Sequence, residues 1–466
     1  MRKDLSTILQ MGLSYALIFS AFNSQGLIEV SVLRRMADSS PETGITHNSG
    51  YYSLSIIYFV FTFVNLVIPP VVKKLGSKWS QVIGSIGYLF FMLTFLYLNA
   101  ALLYFGSAIL GASAALLWAG NGTYMVEFSR KDKMERNAGI LWAMLQSSLI
   151  TGGFFLIYVL NSGDLIAEYK LVYTVFSIVT AAGILVQILL PSSPQQYEIL
   201  SDQQLEEIVA GSEEDLVAAE EGNDPLGLEL PNNGDGDEFT VFSYREQFGK
   251  TFTLLKSPNM LVLSVIFFYS GLEMTFYTGV YTGCLSSTLA LKAYSDLVIP
   301  YNALALGAGQ IMGGIVTGTV SRLLKLRHHH IVFFALLCHI VAFFFCFLIL
   351  PYDSTIDKSD MPTYATPTLL VTLFISFLLG ISDAFWQTQI YVTLGTVYKY
   401  DPVNAFAIFK FFQSFAACIS FYYSSYLYLP SQLTILAVGC FLSAIFFLKM
   451  GLKIENASES ARQSLD

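Results

Sequence analysis

Twelve helix-length apolar runs fill this chain, six on each side of an acidic segment. A helix needs about 20 apolar residues to cross a bilayer. Inside lipid only helices and closed barrels satisfy the backbone. The runs do not alternate as barrel strands do, so helices are the solution. Of the 466 residues, 54% are hydrophobic and 13% charged, against about 25% charged in a soluble domain. The expected spans are 8–30, 51–71, 80–99, 101–125, 138–160 and 169–191, then 258–280, 298–320, 330–350, 366–394, 403–427 and 431–449. The first run is longer than the apolar part of a signal peptide and has no A-x-A cleavage site, so it reads as a retained span.

The net charge of −9 is local. Residues 192–256 hold 15 acidic and three basic residues, while the rest holds 19 acidic and 22 basic. That balance indicates neither a nucleic-acid partner nor a charged substrate. With both termini placed in the cytoplasm, 19 of the 25 Lys and Arg residues fall on the inner side and five outside, as the positive-inside rule requires. The expected organisation is a six-helix bundle over 1–191, an acidic cytoplasmic linker over 192–257, a second bundle over 258–450 and a cytoplasmic tail over 451–466. Glu213-Glu214-Asp215 and Asn232 to Asp237 in the linker cannot build a core. At its end, Phe242, Phe248, Phe252 and Leu255 recur at helical spacing. They fit an amphipathic helix over 242–256 on the inner membrane surface, or an extension of the seventh span.

The two halves echo each other. Span five carries Asn137-Ala138 and Gln146-Ser147, and span eleven carries Asn404-Ala405 and Gln413-Ser414 at the same spacing. Phe19 to Asn23 in span one stands where Tyr269 to Glu273 stands in span seven. Parallel repeats about the membrane normal are the plan of the major facilitator transporters. The expected fold is therefore an all-α multi-pass membrane protein of that plan, with twelve transmembrane helices in two pseudo-repeated halves.

Polar groups deep in spans are the candidates for function, because hydrocarbon makes them costly. They are Asn23 and Gln25 in span one, Asn121 beside Trp118 in span four, and Gln146 one turn after Trp142 in span five. Span seven carries Glu273, span ten Asp383 and Gln387 around Trp386, and span eleven Lys410 and Gln413. These spans line or flank the central cavity of the facilitator plan. The scaffold spans are nearly free of such groups, with Gln187 and His339 as exceptions. Each amide is otherwise a helix–helix hydrogen bond. Asp383 lies roughly 18 Å from the inner end of its span and Lys410 roughly 10 Å, by helical rise. They are expected to meet, as an ion-sensitive latch or a static pair. Glu273 is expected on the cavity wall, where it would couple protons. The first half is expected to keep its charges at the membrane edges.

Other signals are weaker. Gly309, Gly313, Gly314 and Gly318 form two G-x3-G pairs that permit close helix approach. Lys73-Lys74-Leu75-Gly76-Ser77-Lys78 lies where facilitators have a basic tight loop, without that loop's acidic partner. His328-His329-His330 points in three directions on a helix, so no metal site is expected. Tyr197-Glu198-Ile199-Leu200 has the form of a tyrosine sorting signal. No catalytic constellation and no cofactor motif occurs, so an enzyme is not expected.

Four stretches carry a resemblance: Ser53–Tyr58 (SLSIIY), Trp118–Gly122 (WAGNG), Tyr269–Phe276 (YSGLEMTF) and Phe406–Ser414 (FAIFKFFQS). They resemble the Unc ninety-three-like family, an outlying branch of the major facilitator superfamily. The stretch around Lys410 is the most specific. The family's usual Gln is the shorter Asn121 here. The resemblance implies the transporter fold, yet better-understood members act on other membrane proteins. One regulates a potassium channel and another escorts receptors through the secretory pathway. Two classes follow: an ion-channel regulator or trafficking factor, or a secondary active transporter of a small solute, with proton coupling as an option.

Overall fold

The computed structural model describes residues 2–46, 49–130, 133–162, 169–192, 244–294, 297–320, 328–356, 359–424 and 426–463. The first half comprises α1 (Arg2–Ser39), α2 (Ser49–Val67), α3 (Pro69–Leu75), α4 (Ser77–Thr94), α5 (Ala100–Glu127), α6 (Met134–Ser162) and α7 (Tyr169–Ile188). Next comes α8 (Tyr244–Lys256). The second half comprises α9 (Pro258–Thr275), α10 (Tyr281–Ser287), α11 (Val298–Ile315), α12 (His328–Ile349), α13 (Leu369–Val397), α14 (Pro402–Ser424) and α15 (Leu429–Gln463). A π turn, Phe276–Val280, fuses α9 to α10, and a second, Val316–Val320, continues α11.

Among the described residues ten helices are long and apolar enough to cross a membrane, or eleven when α2 and α3 count as one span. The remaining expected span is α11, which has the length but carries four glycines with Asn302 and Gln310. The 70° bend between α2 and α3 has a local cause. Pro69 and Pro70 bring no amide protons, so the helix breaks and restarts with proline in its first turn. Gly76, at φ +78°, then ends α3 in a conformation that other residues resist. Elsewhere side-chain caps set the starts. Asn99 accepts from the Leu102 amide (2.8 Å) before α5, and Thr368 caps α13.

Several elements exceed their expected bounds. α1 runs past residue 30 to Ser39, the seventh span continues to Ser287, and α15 extends through the expected tail to Gln463. Most of the acidic linker, and with it the Tyr197 signal, lies outside the described residues.

Packing repeats between the halves. In the first, α1 packs on α6 and α7, α2 on α5, and α4 on α5 and α7. In the second, α9 packs on α14 and α15, α11 on α13, and α12 on α13 and α15. Each pair has its ordinal counterpart. The halves meet along a seam where α2 and α5 contact α14, and α6 contacts α11 and α13.

The two glycine pairs of α11 face different ways. A Cβ on Gly309 would lie 2.2 Å from the Phe377 carbonyl oxygen of α13, inside the second half. A Cβ on Gly314 would lie 2.7 Å from the Gly139 carbonyl oxygen of α6, across the seam. Lipid supplies little hydrophobic drive between helices, so such backbone approach is how they hold each other.

Candidate functional site

One buried polar grouping lies inside the second half and another on the seam. Asp383, on α13, is fully buried. Its carboxylate accepts from Tyr277 Oη (3.1 Å), Gln310 Nε2 (2.7 Å) and Gln387 Nε2 (3.4 Å). Tyr277 stands in the π turn, which shifts the helical face beyond it and brings its hydroxyl to α13.

Glu273 and Trp386 do not face the space between the halves, contrary to the sequence expectation. Both turn inward onto His339 of α12. Glu273 Oε2 lies 3.2 Å from His339 Nε2. On the other ring nitrogen, Nδ1, converge Trp386 Nε1 (3.2 Å) and the Tyr269 hydroxyl (2.7 Å), with Cys440 Sγ at 3.7 Å. An indole N–H only donates, so Nδ1 must be the acceptor and the ring hydrogen sits on Nε2, on the Glu273 side of the ring. This tautomer follows from the hydrogen-bond pattern. His339, an exception on a scaffold helix in the sequence, is the hub of the second half. Only its partners reveal that.

The expected Asp383–Lys410 pair is not formed. Asp383 is held by α9's π turn and α11, whereas Lys410 looks across the seam. Lys410 Nζ donates to Gln413 Oε1 (2.7 Å), one turn on, and sits 4.4 Å above the Trp118 ring of the first half. Gln413 Nε2 donates to Ser270 Oγ (3.2 Å) and ties α14 to α9. The ammonium thus replaces a carboxylate with an aromatic face, a cation–π contact worth about 2 kcal/mol when desolvated.

Beside this contact lies a small space between α5, α6 and α13. Trp118, Asn121, Trp142, Gln387, Thr388 and Tyr391 are among its walls. Its volume of about 10 Å³ admits about one water molecule. Tyr391 Oη donates to Asn121 Oδ1 (3.2 Å) across the seam. Here the structure brings together four of the residues singled out in the sequence: Trp118, Asn121, Trp142 and Gln387.

On the α8 side of this space the halves are shut. A Cβ on Gly122 would lie 2.3 Å from the Phe406 ring, and one on Gly395 2.2 Å from Met134 Cε. The basic loop finds its acidic partner in the other half: Lys73 Nζ lies 3.1 Å from Asp401 Oδ1. Asn404 Nδ2 donates to Asp401 Oδ2 (2.5 Å), and Asn404 Oδ1 accepts from Thr251 Oγ1 of α8 (2.7 Å). This helix, Tyr244–Lys256, is α8. It packs against α2 and α3 of one half and α9 and α14 of the other.

The remaining amides lie inside the first half. Asn23 Nδ2 donates to Ser148 Oγ (2.8 Å), joining α1 to α6, and Gln146 is buried on α6. Gln25 Nε2 donates to Glu29 Oε2 (2.7 Å). Glu29 corrects a further expectation: the first half also buries a carboxylate, 1% exposed. The apolar run ends near residue 30, which put Glu29 at an edge. The helix continues nine residues further and makes it interior. Among the described residues no three His, Cys, Asp or Glu side chains gather as a metal site.

Comparisons with known proteins agree with this architecture. The family model described as "Ion channel regulatory protein UNC-93" matches residues 40–448. The UNC93-like protein MFSD11 of Xenopus laevis is 30% identical over 457 residues, 97% of each chain. The UNC93-like protein 3 of Arabidopsis thaliana is 24% identical over 92% of this chain and 82% of its own. Among solved structures, the E. coli fucose:proton symporter FucP superposes with a TM-score of 0.61 at 14% identity, covering 96% of this chain and 99% of that one. FucP described as a major facilitator superfamily transporter in the outward conformation gives 0.62 at 12% identity, over 95% and 98%. These establish the major facilitator fold.

Proposed function

The chain belongs to the UNC-93 family, and from that membership we propose that it is an accessory membrane protein: a regulator of an ion channel, or a factor that accompanies other membrane proteins. The observation that carries this reading is the filled centre. The space where a solute would sit has room for about one water molecule, and side chains from both halves close its α8 side. With so small a space at its centre, this packing supports a role carried by the outer faces, in contact with lipid and with partner proteins. Potassium channels are the first partners to try. Co-expression should change channel current or surface density at least about twofold, a shift of the size that modest coupling energies produce. Unchanged current and unchanged surface density across a panel of potassium channels, with no membrane protein co-purifying, would reject the reading.

A second reading, secondary active transport of a small solute by alternating access, is favoured by Lys410 and Asp383. Both are ionisable groups on helices bordering the seam, and they are not spent on each other. Saturable uptake into proteoliposomes under a proton gradient, lost in Lys410→Met, would support it. Flux no greater than in protein-free vesicles would exclude it. Both termini are placed in the cytoplasm by the Lys and Arg distribution. Epitope tags at each end, read in intact and permeabilised cells, test that placement.

A further inference from the structure

We propose that the space enclosed by α5, α6 and α13 is a binding site for an uncharged hydroxyl compound, a small polyol. The proposal goes beyond the accessory reading and does not depend on transport. It rests on three polar atoms that share this space and have no hydrogen-bond partner within the protein. Trp142 Nε1 and Asn121 Nδ2 come from the first half, and Gln387 Oε1 from the second. Trp142 is 9% exposed, and Asn121 and Gln387 are each 1% exposed. Orphaned buried groups of this kind are costly, so three on one space call for a ligand.

Neighbours fix which atom of each amide turns inward. Gln387 gives its Nε2 to Asp383, which leaves Oε1 free. Asn121 uses its Oδ1 to accept from Tyr391, which leaves Nδ2 free. The site therefore presents two N–H donors from one half and one carbonyl acceptor from the other. A hydroxyl meets both needs at a single oxygen: it accepts from Trp142 or Asn121 and donates to Gln387. A carboxylate would confront the Gln387 oxygen, and an ammonium would confront two N–H groups. The nearby ionic groups are engaged elsewhere, Asp383 by three donors and Lys410 by Gln413 and Trp118. The closed form accommodates one hydroxyl. A larger polyol enters when the Tyr391–Asn121 contact opens, and Trp118, Trp142 and Tyr391 then offer ring faces to its carbon skeleton.

Saturation-transfer NMR on the full chain in nanodiscs, prepared without glycerol, tests this with three matched probes: glycerol, glycerate and serinol. Glycerol should give saturable transfer, and the anionic and cationic analogues should bind at least about tenfold more weakly. Trp142→Phe and Gln387→Leu should each weaken glycerol binding about tenfold, by the loss of one hydrogen bond in a buried site. Thr434→Val, on α15, should leave it unchanged. Because Gln387 also touches Asp383, Leu145→Phe provides a variant that fills the space from an apolar wall, and it should abolish transfer in a protein that elutes as wild type. Displacement of glycerol by monoolein in the bilayer would assign the site to lipid-borne polyols, and lack of displacement to soluble ones. Equal binding of glycerate or serinol, unchanged binding in Trp142→Phe or Leu145→Phe, or no saturable glycerol transfer would overturn the proposal.

Discussion

The two halves hold the same triangle of rings and use it differently. In the first, Phe19 of α1 lies 5.6 Å from Tyr88 of α4 and 5.3 Å from Trp118 of α5. In the second, Tyr269 of α9 lies 5.9 Å from His339 of α12 and 5.4 Å from Trp386 of α13. Each residue stands at its counterpart's ordinal place. One turn after Phe19, Asn23 makes a neutral hydrogen bond to Ser148, whereas one turn after Tyr269, Glu273 meets His339. The duplicated scaffold has kept the shape of the packing, while the second copy has filled the same volumes with donors and acceptors. Glu29 marks the limit of the symmetry. In the register that sets Asn23 beside Glu273 it falls opposite Gly279, in the π turn, so its carboxylate has no counterpart.

The comparison breaks most readily at its hub. His339→Phe would strand Glu273, the Tyr269 hydroxyl and the Trp386 N–H, and should destabilise by about 3–5 kcal/mol, the cost of removing one partner of a buried polar pair. Tyr88→Phe, the matching change in the first half, should cost about 1 kcal/mol. Thermal unfolding in one detergent measures both, and equal losses would end the claimed asymmetry. Asp383→Leu should come next, at about 2–4 kcal/mol, because three donors lose their acceptor. Asp383→Asn keeps one acceptor oxygen and should cost about 1 kcal/mol. If the two variants unfold together, the carboxylate does not organise α9, α11 and α13.

Smaller effects probe the seam. The Lys410–Trp118 contact should show a coupling of about 1–2 kcal/mol in a double-mutant cycle with Lys410→Met and Trp118→Leu. A coupling of zero would mean that the ammonium merely lies near the ring. Smallest should be Lys73→Ala, at about 0–1 kcal/mol and fading with added salt, since both partners are partly exposed. A salt-insensitive loss there would show that the stem of Lys73 matters more than its charge.

What the sequence discloses follows from the length scale of each feature. Long apolar runs disclose spans, because the bilayer filters on about 20 residues at a time. The glycines of α11 disclosed close approach, though not that Gly309 and Gly313 face one helix and Gly314 and Gly318 another. Side-chain partnerships were less legible. Depth alone suggested that Asp383 would meet Lys410, but helix rotation decides such contacts, and no composition signal announced the π turn at Phe276–Val280. The apolar run alone sets Glu29 at an edge, and the helix outlasts that run. His339 sits on a span whose composition reads as scaffold, and only its packing against Tyr269, Trp386 and Glu273 makes it a hub. Of the candidate site, the sequence supplied Trp118, Asn121, Trp142 and Gln387 one by one. Their common space came from the packing of α5, α6 and α13.

The meeting of Gly139 with Gly314 has a mechanical consequence. Two backbones in direct contact leave no slack between them, and the neighbouring glycines Gly153 and Gly307 take in Leu304 and Leu149 from the facing helix. Gly139 and Gly314 therefore set how near α6 and α11 can come, and a bulky side chain at either would act as a wedge between the halves.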